Sequence, residues 1–254
     1  MTDSEKLLSA FADIGQMMLI SGAEVYRIED TMSRLLTAYG AERREVVAVP
    51  SFIIITASFE GKESTSFRRV TTLDTDLELL DRLNALSRRI CAETPDADEI
   101  VRLTHEAANK PGYSKFMRCA SFFLACFAFT LLFEGGAADA LVSGIIGVCI
   151  FWLSRLINKI GGNKVFVNIL CGAFASFAAL MLAKAGLKVD ADKIIIGAVM
   201  VLVPGVELLN GIRDFISGDV QAGLMHISEA LFLAVTISVG AASMHMLFSH
   251  FTLV

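Results

Sequence analysis

The sequence predicts an α+β cytoplasmic domain over residues 1–112, followed by an all-α membrane domain of five transmembrane helices over residues 113–254. Charge is unevenly distributed: residues 1–116 carry 14 Lys and Arg against 19 Asp and Glu, whereas residues 117–254 carry 8 of each. The mean hydropathy of +0.61 is high for a soluble chain of 254 residues. The second part also contains five apolar runs, each near the ~20 residues that a helix needs to cross a bilayer.

The first domain is predicted to consist of helices around a short antiparallel sheet. Ser21 and Glu24 fit the S-x-x-E pattern of a capping box, which predicts the start of a helix. Residues 45–70 change to alternating β character, with a turn at FEGKES. Helical spacing of apolar residues and the terminal signals predict helices at 4–20, 21–39, 74–92 and 96–109.

The five apolar runs lie at about 117–133, 138–158, 165–185, 193–210 and 222–248. Basic residues occur before the first run, between the second and third, and after the fourth: Lys110, Lys115, Arg118, Arg155, Lys159, Lys164 and Arg213. The positive-inside rule then places the N-terminal domain in the cytoplasm and the C-terminus outside, so we expect a multi-pass protein of the inner membrane. Lys184, Lys188 and Lys193, on the supposed outer side, argue against this orientation.

The fourth run is predicted to be broken at Pro204-Gly205. Pro204 lacks a backbone donor and crowds the carbonyl of Met200, which frees a backbone acceptor. Proline also suits the first turn of a helix, so a half-helix starting here would present free N–H groups that attract a carboxylate. A proline kink without any ligand is the alternative.

Polar residues follow this break, in a segment that is otherwise apolar. Glu207, Asn210 and Asp214 share one helical face, and His226 and Glu229 share a face of the fifth run. Ionisable groups at membrane depth tend to mark a substrate or ion path. We expect Glu207 and Glu229 to handle protons, with His226 as a relay partner. The candidate substrate-binding and translocation residues are Pro204, Gly205, Glu207, Asn210, Arg213, Asp214, Asp219, His226 and Glu229. Alternatively, Arg213, Asp214 and Asp219 are loop charges, and only Glu207 and Glu229 lie deep.

Two motifs stand out, SGAEVYRIEDTM at 21–32 and PGVELLNGIRDFISGDVQAGLMHISEA at 204–230. With the apolar runs between them, they resemble the threonine/serine exporter (ThrE) family, in particular its YjjP-type polypeptides, and the resemblance covers nearly the whole chain. The resemblance implies export of threonine and serine, or of dicarboxylates such as succinate. The chain stops just after its fifth run and so resembles the split members, which implies a separate YjjB-type membrane subunit and assembly with other subunits.

For the first motif, the resemblance implies a cytoplasmic vestibule lined by Ser21, Gly22, Glu24, Arg27 and Glu29. The residues alone also allow a structural interpretation. The capping box explains Ser21 and Glu24, and the spacing of Arg27, Asp30 and Arg34 fits a salt-bridge ladder.

Other function classes have less support. No basic face accumulates, which argues against a nucleic-acid partner. Residues 1–112 contain no G-x-S-x-G, P-loop or metal-spaced cluster, so we expect no catalytic residue, metal or cofactor. Two alternatives to a transporter remain: a membrane-anchored enzyme with a catalytic cytoplasmic domain, and a scaffold subunit that does not itself transport.

Overall fold

The computed structural model describes residues 3–110 and 112–252, and it is mostly helical with a three-stranded sheet in the N-terminal part. This confirms the predicted class at that level. The elements are α1 Asp3–Ile20, α2 Val25–Ala38, β1 Arg43–Val49, β2 Phe52–Phe59, β3 Lys62–Arg69, α3 Leu77–Glu93, α4 Ala97–Asn109, α5 Lys115–Leu132, α6 Ala137–Lys159, α7 Lys164–Lys184, α8 Ala191–Val199, a 3₁₀ turn Met200–Leu202, α9 Gly205–Ser217 and α10 Val220–Thr252.

The chain divides into two compact units. The first contains the chain up to Gly112 together with Gly205–Ser228, and the second contains Tyr113–Pro204 and the chain from Glu229. The first unit therefore includes α9 and the beginning of α10, which are distant in sequence from the rest of it. The assignment of residues 1–112 to the cytoplasm and of residues 113–254 to the membrane stays a prediction.

The first unit is built on the antiparallel sheet, which has the strand order β1-β2-β3 and packs against α1. The β2–β3 hairpin turns at Glu60 and Gly61, whose φ angles of 51° and 75° lie in the left-handed region. Two such residues are typical of a type I′ hairpin turn. Ile53 of β2 and Phe11 of α1 are fully buried in the shared core, because one face of the sheet is covered by the helices.

The start of α2 differs from the sequence prediction. The Ser21 hydroxyl donates a hydrogen bond of 2.7 Å back to the Met17 carbonyl of α1. Glu24 is itself the N-cap of α2, and its side chain makes no capping hydrogen bond. The predicted capping box is therefore wrong, because the Ser21 side chain is used by the preceding helix. The Glu24 carboxylate is left available to other partners.

Within the first unit, α9 and the start of α10 form a tight helical hairpin. The chain turns at Gly218, whose φ is 91°, and the Asp219 carboxylate accepts a 3.0 Å hydrogen bond from the Ala222 N–H as the N-cap of α10. A Cβ on Gly223 would lie 3.0 Å from the Gly211 carbonyl oxygen, and one on Gly211 would lie 3.1 Å from the Gly223 carbonyl oxygen. The two helices therefore cross with their backbones in direct contact.

The second unit contains the apolar helices α5 to α8 and the rest of α10. Ile150, Cys171 and Ala175 are fully buried in its core. Large apolar side chains remain exposed on its helices; Leu124 is 64% exposed and Trp152 is 52% exposed. Exposed apolar surface of this extent indicates contact with another apolar phase.

Among the described residues, four helices are long and apolar enough to cross a bilayer, namely α5, α6, α7 and α10. A bent pair, Ala191–Leu202 and Gly205–Ser217, passes the same test when its members are taken together, which makes up to five spans. The interruption between the two members is Val203-Pro204, next to the predicted break.

Candidate functional site

The two motif segments, which are about 190 residues apart in sequence, lie together in the first unit. The Asn210 side-chain amide of α9 donates a 2.9 Å hydrogen bond to the Gly22 carbonyl. One turn further along α9, the Arg213 guanidinium donates a hydrogen bond to the Glu24 carboxylate. The polar face of α9 is thus bound to the start of α2.

The Glu24 carboxylate is the centre of this contact. Its side chain is only 6% exposed, and Arg27 lies 3.7 Å away as a second ion-pair partner besides Arg213. A hydrogen bond between the Tyr26 hydroxyl and Glu24 raises the pKa of Tyr26, with burial as a further cause. Two guanidinium groups therefore surround one carboxylate, so this cluster of ionised side chains has an excess positive charge.

A cavity of about 230 Å³ lies beside this cluster. Asn210 and Arg213 line it from α9, while Glu24 and Arg27 line it from the start of α2. Its remaining walls are Met18, Gly22, Ala23, Leu77, Leu80, Asn84, Val206 and Leu209. With roughly 30 Å³ for each water molecule in the liquid, the cavity has the volume of about eight waters. A small polar metabolite fits such a space, whose lining includes both charged groups and leucine side chains.

The loop between α1 and α2 is held in an unusual conformation. Gly22 has a φ of 87°, which side-chain-bearing residues rarely adopt, and a Cβ at this position would lie 3.4 Å from the Asp74 carbonyl oxygen. The Asp76 N–H donates a 3.2 Å hydrogen bond to the Ser21 carbonyl on the same loop. Ser21 and Gly22 thus shape the loop whose Gly22 carbonyl receives Asn210, and the Ser21 hydroxyl points back to α1.

Glu29, the last residue predicted for the vestibule, has a different environment. Its carboxylate accepts a 2.9 Å hydrogen bond from the Ala48 N–H of β1. Burial raises the pKa of Glu29, the hydrogen bond from Ala48 partly opposes this, and the negative charge of Asp219 adds to the increase. Glu29 is absent from the residues that line the cavity beside Glu24.

The remaining predicted residues of α9 and α10 are divided among several partners. Asp214 is fully buried, and its Oδ2 atom forms a 2.9 Å hydrogen bond with the Nδ1 atom of His226. Glu207 is half-buried, and its side chain makes no hydrogen bond or ion pair within the described residues. In the second unit, Glu229 lies 4.0 Å from Lys164. Glu207, Asn210 and Asp214, which were predicted to share one helical face, therefore do not share a partner. Asn210 contacts the α1–α2 loop, and Asp214 contacts α10.

Sequence reasoning did not single out Tyr26 or Asn84. Tyr26 lies inside the first motif, so its position beside Glu24 was a usable signal. Asn84 lies on a helix face that otherwise carries Leu80 and Leu83. A polar residue on an apolar face was the only feature of the sequence that could have indicated a role for Asn84. Among residues 3–110 and 112–252, no three His, Cys, Asp or Glu side chains converge as a metal site.

Among the described residues, four apolar helices of membrane-spanning length, or five if the bent pair is one span, define the class of this molecule as a multi-pass membrane protein. Residues 9–248 match the model of the family described as "Putative threonine/serine exporter". The chain therefore belongs to the threonine/serine exporter family.

Three curated relatives show the range of names in this family. A "Probable threonine/serine exporter" of Mycobacterium tuberculosis is 24% identical, over 93% of this chain and 45% of that protein. A "Probable succinate transporter subunit YjjP" of Klebsiella aerogenes is 22% identical, over 88% of this chain and 86% of that protein. A "Threonine/serine exporter" of Corynebacterium glutamicum is 24% identical, over 89% of this chain and 48% of that protein. The chain thus spans about half the length of the two exporters. No solved structure gives a significant match.

Proposed function

We propose that this chain is a subunit of an inner-membrane exporter that moves a small carboxylate-bearing metabolite out of the cell. The observation that carries this proposal is the convergence of the two motif segments on one cavity, with Glu24 and Arg213 at its edge. Membership of the exporter family and the apolar helices support it. The N-terminal domain is cytoplasmic in this proposal, so the cavity is where the substrate is bound before export.

The charges beside the cavity suggest how the substrate is held. Arg27 and Arg213 are half-exposed, and each has donors left to bind a substrate carboxylate in addition to Glu24. Asn210 offers a further polar group on the same wall. The Glu24 carboxylate would in turn accept the ammonium group of an amino acid. We therefore favour threonine and serine over succinate, because only an amino acid offers an ammonium group to Glu24 as well as a carboxylate to the arginines.

The fourth apolar run supplies the proposed path beyond this site. We propose that α8, its 3₁₀ turn and α9 form one span, broken at Pro204-Gly205, which gives five spans in all. The hydropathy of the bent pair supports this arrangement. The free N–H groups at the start of α9 would attract the substrate carboxylate, and Glu207 lies in that first turn.

We also propose that a second, YjjB-type membrane protein completes the exporter. The support comes from the Klebsiella aerogenes relative, which is matched over most of its length and is called a transporter subunit. Larger assemblies with additional copies are consistent with this arrangement.

An efflux assay tests the proposal. Cells loaded with threonine, serine or succinate would express the chain with and without a YjjB-type protein, and external substrate would be measured over time. We expect efflux of threonine and serine from cells with both proteins and a loss of about tenfold or more in Arg213→Gln, since a charge-assisted hydrogen bond contributes about 1.5–3 kcal/mol. Arg34→Gln is the matched control, because Arg34 is an exposed arginine of α2 that pairs with Asp30.

The other outcomes distinguish the alternatives. Unchanged accumulation of all three substrates would refute the proposed substrate class. If Arg213→Gln and Glu24→Gln both leave the flux of the assembled pair intact, the chain is a scaffold and its partner transports. A hydrolytic activity of the purified chain that Glu24→Ala abolishes, without any effect on flux, would identify an anchored enzyme instead.

A further inference from the structure

The hairpin of α9 and α10 contains a buried acid–base pair that plays no part in the proposed cavity. Asp214 has no exposed side-chain surface, and the His226 side chain is 5% exposed. The Oδ2 atom of Asp214 lies 2.9 Å from Nδ1 of His226. The other oxygen, Oδ1, is also buried and has no hydrogen-bond partner among the residues that the structure describes.

A buried carboxylate oxygen without a donor is unusual, because removing such a group from water is costly unless a partner or a proton compensates. The Asp214–His226 pair can take up one proton. With that proton the pair has no net charge, and without it the pair leaves one negative charge at a fully buried position. Binding or release of this proton therefore changes the electrostatic free energy of the hairpin by much more than the same step would at a solvent-exposed site.

We propose that the Asp214–His226 pair is the proton-binding site through which this protein couples export to the movement of protons. This inference rests on the proposed export function. The other acidic candidates are less suitable. Glu24 has Arg27 and Arg213 as permanent positive partners, and Glu229 has Lys164. Glu207 is only half-buried and has no acid–base partner within the described residues.

The charged groups around the pair come from α9, from the turn that follows it and from α2. Arg213 precedes Asp214 in sequence but is bound to Glu24 of α2. The Asp219 N–H donates a 2.9 Å hydrogen bond to the Asp214 carbonyl, and the Asp219 charge also acts on Glu29 of α2. On α10, the nearest ionisable residue in sequence is Glu229. None of these groups replaces the missing donor at Oδ1.

The pair is also placed to affect the substrate site. Arg213 and Asp214 are adjacent on α9, so a displacement of α9 relative to α10 moves the guanidinium that holds Glu24. Because the backbones of α9 and α10 already touch at Gly211 and Gly223, the two helices cannot move closer together by a series of small steps. A change of charge at Asp214 is therefore expected to shift the hairpin between discrete arrangements.

The test uses the chain together with its YjjB-type partner in proteoliposomes, with labelled threonine and the membrane potential clamped at zero. Two quantities are measured: exchange of internal for external threonine without any gradient, and net accumulation driven by a gradient of one pH unit. If one proton moves per substrate, this gradient gives wild-type protein an accumulation of about tenfold. We expect Asp214→Asn and His226→Gln to keep the exchange but to lose the accumulation, which falls to about onefold.

Two further variants separate coupling from damage to the fold. The double exchange Asp214→His with His226→Asp restores an acid–base pair, and we expect it to recover part of the gradient-driven accumulation. Asp139→Asn is the control for a buried aspartate, since both oxygens of Asp139 accept backbone N–H groups and it lies in the second unit. We expect this control to respond to the gradient like the wild type.

Several results would overturn the inference. One is gradient-driven accumulation by Asp214→Asn at the wild-type level. Another is a loss of coupling in Glu207→Gln or Glu229→Gln while Asp214→Asn stays coupled. An absence of both exchange and accumulation in the wild-type protein would instead refute the proposed export function, so the two failures are distinguishable.

Discussion

The ion pair between Arg213 and Glu24 makes a quantitative prediction about stability. Exposed ion pairs contribute about 0.2–1 kcal/mol, whereas breaking a fully buried pair costs about 3–5 kcal/mol. Glu24 is 6% exposed and Arg213 is 50% exposed, so the pair lies between these limits. Arg27, at 3.7 Å, compensates part of the Glu24 charge when Arg213 is removed. We therefore expect a coupling free energy of about 1–2 kcal/mol between the two side chains.

A double-mutant cycle measures this coupling. Arg213→Met keeps the aliphatic stem of the side chain, and Glu24→Gln keeps the shape of the carboxylate. The free energy of unfolding of the wild type, both single variants and the double variant is determined by chemical denaturation of the purified protein in a mild detergent. The same cycle with Arg34→Met and Asp30→Asn, an exposed pair on α2, should give about 0.3–0.5 kcal/mol. A coupling of Arg213 with Glu24 no larger than that of the exposed pair would refute the assigned ion pair.

Three other predictions concern the first unit. Gly22→Ala should lower the free energy of unfolding by about 1–2 kcal/mol because of the left-handed φ at Gly22, and it should also weaken threonine binding. Gly40 is the control, since it has a φ of 75° and open space around a Cβ. Gly40→Ala should lower stability without changing threonine binding. Burial raises the pKa of Tyr39 to about 12, so absorbance titration should show a tyrosine that ionises well above the ordinary value of about 10 and that is absent in Tyr39→Phe. The protonated form of Tyr39 is favoured in the folded protein, so its contribution to stability is present below about pH 10 and is lost as the pH rises through 12. Tyr39→Phe should remove this part of the loss of stability at high pH. Burial also raises the pKa of Glu29, which makes its ionised form unfavourable, so Glu29→Gln should raise the melting temperature at pH 7 more than at pH 4.

Local pattern was sufficient to predict most of the secondary structure. The alternation around residues 45–70 and the FEGKES turn predict β1 to β3, because strand periodicity and turn residues are local properties. The apolar runs likewise predict the long helices, because their length is set by the bilayer. At the start of α2, a local rule gave the wrong result. The S-x-x-E pattern is present, but the α1 carbonyl of Met17 competes successfully for the Ser21 hydroxyl.

The site itself was predicted only in part. Both motif segments were recognised as candidates, yet their meeting could not be derived, since no periodicity relates Glu24 to Arg213 across 189 residues. Helical spacing placed Asp214 and Asn210 on one face, but it could not tell that each would contact a different element. Tertiary packing decides such partners, and local sequence does not contain this information.

The central claim is that the cavity between α2 and α9 binds the carboxylate of the exported amino acid through Arg213. The most direct measurement is equilibrium binding of labelled threonine to the purified chain assembled with its YjjB-type partner, for the wild type, Arg213→Gln and Arg34→Gln. We predict that Arg213→Gln raises the threonine Kd by about tenfold or more, whereas Arg34→Gln keeps the wild-type value. Equal threonine affinity in all three proteins would contradict this claim.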